Sequence, residues 1–105
     1  MIEDNQIVEK IKVIAHQFLP DAQVLLFGSR ARNDARTDSD YDILLIINET
    51  LLPKEKIQII SKIRKALVQL EIPIDVLIQS RSEIEKKKNL PGHIVRRIIK
   101  EAIIL

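Results

Sequence analysis

The sequence predicts an α/β (α+β) domain in which a small mixed β-sheet is flanked by helices. Three observations carry this expectation. The chain has 105 residues, enough for one hydrophobic core and not two, so residues 1–105 are expected to form a single domain. Three short apolar runs, at 24–27, 41–47 and 74–78, are too apolar to be exposed on both faces and read as strands. Around them, apolar residues recur at helical spacing.

The elements follow in order. Ile7, Val8, Ile11, Ile14, Ala15 and Phe18 share one face of a first helix, which Pro20 and Asp21 break. Val24 to Phe27 forms the first strand and ends at Gly28. Residues Arg30 to Asn33 form a short helical turn, and a polar loop runs to Ser39. Tyr41 to Ile47 is the second strand. Pro53 opens the next helix, whose inward stripe is Ile57, Ile60, Ile63, Leu67 and Leu70. Pro73 opens the third strand, Ile74 to Ile78. A capping box matches Ser80 and Glu83 in full, whereas a start at Ser82 would not. After Pro91 and Gly92, the residues Ile94, Val95, Ile98 and Ile99 mark a last helix. Periodicity leaves open whether Ile103 to Leu105 continues that helix or makes a terminal strand.

Composition narrows the classes. The chain has no cysteine, which excludes disulfides and thiolate-held zinc. The first residues are acidic and periodic, unlike a signal peptide, and no apolar run approaches the roughly 20 residues that span a bilayer. A soluble cytoplasmic protein with no membrane partner is expected. The net charge of +2 hides an acidic first half, with 5 Lys/Arg against 9 Asp/Glu in residues 1–52, and a basic second half. That basic half suits an acidic partner or nucleic acid. Phe18, Phe27 and Tyr41 are too few to stack bases, so direct nucleic-acid binding is not expected.

The stretch from Gly28 to Asp42, GSRARNDARTDSDYD, carries the chemistry. Gly28 permits an unusual φ and a close approach of ligand to backbone. Ser29 adds a hydroxyl, the following turn offers N–H groups, and Arg30 and Arg32 add charge for phosphate oxygens. A Walker loop is excluded, since its Gly-Lys-Ser/Thr ending is missing. Asp40 and Asp42 stand two apart at the start of a strand, so both carboxylates project from one face. Such hard oxygen ligands suit Mg²⁺, with Mn²⁺ as the other choice. Each half has a plainer reading: a Gly-Ser turn, and a solvated acidic loop.

Asp75 interrupts the third apolar strand, which is expected to be buried. A buried carboxylate must be paired or bind metal. If the third strand lies beside the second, Asp75 joins Asp40 and Asp42 around the cations, or draws a proton from an acceptor hydroxyl. An ion pair with an arginine is the plainer alternative. The remaining polar residues read as structural. His16 and His93 lack partners at metal-ligand spacing and are taken as surface residues. Asp34 and Asp38 belong to the loop, with Asp38 as a candidate cap or a group supporting the site from behind. Tyr41 points to the face opposite the aspartates and packs, and Lys86 to Lys88 forms a solvated helix face.

Gly28-Ser29, ten intervening residues and Asp40-Tyr41-Asp42 together resemble the signature of the nucleotidyltransferase superfamily that includes DNA polymerase β. LFGSRAR, SDYDILLI and IDVLI resemble its minimal prokaryotic branch, the MNT domain proteins, over nearly the whole chain. The resemblance implies the polymerase β-like fold, with Gly28 and Ser29 on the triphosphate and Asp40, Asp42 and Asp75 on metal. It implies transfer of a nucleoside monophosphate to an acceptor with release of pyrophosphate. Minimal members are commonly paired with a helical HEPN partner, often a ribonuclease toxin, and resemble antitoxins that attach AMP to a tyrosine of that partner. The expectation is therefore an Mg²⁺-dependent enzyme that uses ATP, alone or as a homo- or hetero-oligomer. The alternative is a non-catalytic subunit that neutralises its partner by covering it. Two glycines frequent in the family are replaced, by Asn33 and by Ala102; Asn33 still tolerates a left-handed backbone.

Overall fold

The computed structural model describes residues 4–36, 39–71 and 73–105; the expected cap role of Asp38 lies outside them. Helix α1 spans Asp4–Phe18, and strand β1, Gln23–Phe27, follows after the break at Pro20. Strand β2 is Tyr41–Ile47 and helix α2 is Pro53–Leu67, with Pro53 in its first turn and a 3-10 turn at Val68–Leu70 after it. Strand β3 is Ile74–Ser80, helix α3 is Arg81–Lys87 and helix α4 is Ile94–Glu101. A two-residue strand β4, Ile103–Ile104, settles the C-terminal question in favour of a strand.

The four strands form one mixed sheet in the order β3-β2-β1-β4. β1 runs antiparallel to both β2 and β4, while β2 and β3 are parallel, joined by the α2 crossover that a parallel connection requires. Among the described residues the sheet thus has four strands rather than the three expected. β4 was hard to see because two residues carry no periodicity.

Each face of the sheet is covered. Tyr41, Ile43, Leu45 and Ile47 alternate with Val24, Leu26, Val76 and Ile78 to pack against α1 and α2. The opposite face presents Leu25, Leu44 and Ile46 to Ile84 of α3 and to Val95 and Ile98 of α4. This makes a three-layer arrangement around a central β2. The α2 stripe differs from the expected one at its start. Ile57 is 68% exposed, while Ile63, Leu67 and Leu70 are buried. In α4, Val95 and Ile98 face inward and Ile94 is 55% exposed.

Local signals hold at the helix ends. Ser80 is fully buried and its Oγ accepts from Glu83 N–H, while the Glu83 carboxylate accepts from Ser80 N–H, the reciprocal box expected at this position. Burial alone would raise the Glu83 carboxyl, but hydrogen bonds from Lys56 and Ser80 outweigh it and hold the group below its usual range. His93 caps α4, its Nδ1 accepting from Val95 N–H. His16 is not the surface residue expected: it is half-buried, and its Nε2 lies 2.9 Å from the Ala22 carbonyl. The two replaced glycines are accommodated differently. Asn33 takes φ +61°, whereas Ala102 is extended and needs no left-handed turn.

Candidate active site

The sheet register assembles the site. β2 and β3 are paired so that Asp42 lies opposite Asp75, and side-chain alternation puts both carboxylates on the α4 side of the sheet. β1 brings Phe27 opposite Asp42, which places Gly28 at the edge of the same carboxylate. Tyr41, between Asp40 and Asp42, points to the other face and is 1% exposed, in the packing role expected of it.

Gly28 has φ +75°, a backbone that disfavours any Cβ. A Cβ at this position would also collide with the Asp42 carboxylate. The missing side chain therefore makes room for Asp42. After Gly28 the chain makes a tight turn: Ala31 and Arg32 N–H groups donate to the Gly28 carbonyl at 3.1 Å, and Asp34 N–H donates to the Ser29 carbonyl. This is the helical turn expected between Arg30 and Asn33.

The two arginines of the motif part ways. Arg30 turns inward, with its guanidinium carbon 4.3 Å from the centre of the Tyr41 ring and Nη2 donating to the Ser39 carbonyl at 3.0 Å. Arg32 stays exposed, donating to Asp34 at 3.2 Å and to Glu101 at 3.0 Å. Those hydrogen bonds to Glu101 and Asp34 hold its proton still more tightly. Glu101 also accepts from Gly28 N–H at 3.2 Å. Nothing in the motif pointed to Glu101. Its position follows from β4: Leu26 pairs with Ile103, and two further steps in that antiparallel register bring Glu101 across from Gly28.

The carboxylates gather without closing. Burial, helped by the charges of Asp75, Asp40 and Glu101, raises the Asp42 carboxyl above its usual range, while Arg32 opposes the shift. Asp40 is exposed. Asp75 is also exposed, its side chain at 57%, which overturns the expectation of a buried residue. The reason is topological: β3 is an outer strand, and only alternate residues of it are covered. The plainer pairing is realised, since Arg64 of α2 donates to Asp75 at 3.2 Å.

These donors fit a divalent cation in kind. They are hard oxygens, and burial together with the like charges of Asp75 and Asp40 makes the central Asp42 harder to ionise, as at a site that a cation would complete. Among the described residues, no three acidic or histidine side chains stand close enough to form a ready cage. A surface concavity of about 450 Å³ between α1 and the 3-10 turn, lined by Glu9, Lys10, Val13 and Leu70, lies on the opposite side of the sheet. No helix among the described residues is long and apolar enough to cross a membrane.

Comparison with known proteins agrees with this geometry. The sequence profile of the family described as "Nucleotidyltransferase domain" matches residues 8–105. A Methanocaldococcus jannaschii protein named "Putative protein adenylyltransferase MJ0141" is 32% identical over 83 residues, covering 77% of this chain and 84% of that protein. Among solved structures, a toxin–antitoxin with AMP-PNP superposes with a TM-score of 0.64 at 18% identity, over 91% of this chain and 69% of that one. A structure described as a "putative minimal nucleotidyltransferase" gives 0.62 at 20% identity over 99% and 97% of the two chains. A complex of a tri-AMPylated Shewanella oneidensis HEPN toxin with its MNT antitoxin gives 0.59 at 16% identity, covering 97% and 71%. The chain belongs to the nucleotidyltransferase domain family, is a nucleotidyltransferase, and has the fold of the family's minimal members.

Proposed function

We propose that this domain transfers AMP from ATP to a hydroxyl of a partner protein, in an Mg²⁺-dependent reaction. The observation that carries the reading is the Asp42–Asp75 pairing beside the Gly28 turn, which sets acidic oxygens next to backbone and Arg32 donors. The turn at Gly28 and Ser29, with Arg32, binds the triphosphate. Arg30 supports the turn from below through Tyr41 and Ser39. Asp40, Asp42 and Asp75 would hold the cation, whose charge would stabilise the attacking and leaving oxygens of an in-line displacement. The acceptor oxygen bonds to the α-phosphorus, the α–β phosphoanhydride bond breaks, and pyrophosphate leaves. Asp75, more exposed than Asp42, would take the hydroxyl proton.

The acceptor we infer is a tyrosine of a helical HEPN-class toxin, which would make the domain an antitoxin. Support comes from the adenylyltransferase name of the M. jannaschii relative and from the AMPylated toxin in the Shewanella complex. The test incubates this protein with labelled ATP, Mg²⁺ and the product of the neighbouring gene. Label should appear on that product and vanish with Asp42→Asn. If Asp40→Asn/Asp42→Asn neutralised the partner as well as the wild type, complex formation and not transfer would explain the protection.

A further inference from the structure

We propose that Glu101 is a resident competitor of the triphosphate, occupying the donors that the nucleotide must use. The proposal rests on the reading of the Gly28 turn as the phosphate site. One carboxylate oxygen of Glu101 accepts from Gly28 N–H at 3.2 Å, and the other accepts from Arg32 at 3.0 Å. A backbone N–H together with a guanidinium is the donor pair that recognises a phosphoryl group, and a carboxylate satisfies it in the same two-point way. Gly28 has a single N–H to give. Nucleotide and Glu101 therefore cannot both be bound there.

Two features make this contact a gate and not a fixed strut. The backbone around Glu101 is anchored independently of its side chain: Ala102 N–H donates to the Ile98 carbonyl at 2.9 Å, and β4 pairs with Leu25 and Leu26. The side chain can thus swing away while α4 and β4 stay docked. Glu101 also lies close enough to Asp42 for the two carboxylates to repel, so its place in the cradle is held against a like charge and can be yielded to another anion. Resting nucleotide affinity is then reduced by the fraction of molecules in which the cradle is closed.

Glu101→Gln keeps the size of the side chain and removes the charge. Its affinity for ATP, measured by calorimetry with and without Mg²⁺, should be about threefold to tenfold tighter than that of the wild type. Lys100→Gln on the neighbouring exposed position should change nothing. Equal affinity of Glu101→Gln and wild type would overturn the gate while leaving the nucleotide site standing. Weaker binding by Glu101→Gln would overturn it too, by showing that Glu101 positions Arg32 for the phosphate. Failure of both proteins to bind ATP would overturn the gate and the site together. In case the variant does not fold, the wild type decides by NMR. Saturating ATP should shift the Gly28 amide and the Glu101 carboxyl carbon in concert; a Gly28 shift with an unmoved Glu101 signal would sink the proposal.

Discussion

Gly28 and Asp42 occupy one space: the position a Cβ of Gly28 would take is filled by the Asp42 carboxylate. The glycine of the motif thus makes room for the Asp42 carboxylate as directly as it shapes the turn that follows. It also holds φ +75°, which adds a second reason for its identity.

Gly28→Ala should therefore fail twice. The left-handed backbone costs about 1–2 kcal/mol for a residue with a Cβ, and Asp42 must move to relieve the collision. A displacement of about 1 Å at a reacting group can lower turnover about a hundredfold. A double-mutant cycle separates the two costs. In an Asp42→Ala background the collision is gone, so Gly28→Ala should lower the melting temperature less than it does in the wild type. Additive effects would show that backbone strain alone matters.

Asp42→Asn should abolish transfer and stabilise the apo protein at neutral pH. The direction follows from linkage. Burial and neighbouring charge raise the folded-state value of Asp42 above 3.8, so the fold binds this proton more tightly than the unfolded chain does. The stability it contributes is complete below that unfolded value and is lost as pH rises through the folded one. At pH 7 the ionised carboxylate is a burden that the asparagine lacks. Melting curves should place the variant about 2–5 °C higher at pH 7, with the gap closing towards pH 4 and narrowing when Mg²⁺ is added to the wild type. A variant less stable at pH 7 would mean that Asp42 accepts hydrogen bonds important to the fold.

Arg30 and Arg32 should separate stability from binding. Arg30→Ala removes a cation over the Tyr41 face, worth about 0.5–1 kcal/mol at a partly exposed site, together with the bond to Ser39. Its melting temperature should fall by several degrees. Arg32→Ala should melt within about 1 °C of the wild type, because exposed ion pairs contribute little. Its KM for ATP should rise about tenfold through loss of a charge-assisted phosphate contact. The reverse pattern would put Arg30, not Arg32, on the nucleotide.

The contrast between these arginines shows where sequence reasoning reached and where it stopped. Alternation along a strand was enough to put Asp42 on the face opposite Tyr41, because it is a local property of the backbone. Tyr41 could be assigned to the core by the same rule, and Ser80 with Glu83 by the three-residue span of a capping box. Arg30 and Arg32 lie in a turn, where no period dictates direction, and only the Tyr41 ring decides which one points inward. Asp75 looked buried because its strand is apolar, and whether a strand is central or outer is not written in the strand itself. Glu101 and Arg64 lie far along the chain from their partners, Gly28 and Asp75, and carry no motif. Their placement depends on the β1–β4 register and on how α2 lies against β3.

Arg64 now has a testable consequence. It holds Asp75 in an ion pair whose two side chains are more than half exposed, so the pair stabilises the fold by no more than about 0.5 kcal/mol. It does compete for a carboxylate that the proposed site assigns to the cation. Removing the competitor should leave Asp75 freer to bind metal. Arg64→Gln is therefore expected to melt close to the wild type and to reach half-maximal transfer at a lower Mg²⁺ concentration, by about twofold to fivefold. A titration of labelling rate against Mg²⁺ at saturating ATP measures it. If the variant instead required more Mg²⁺, or lost ATP affinity, Arg64 would be acting on the nucleotide itself, and its bond to Asp75 would be the resting position of a phosphate-binding side chain.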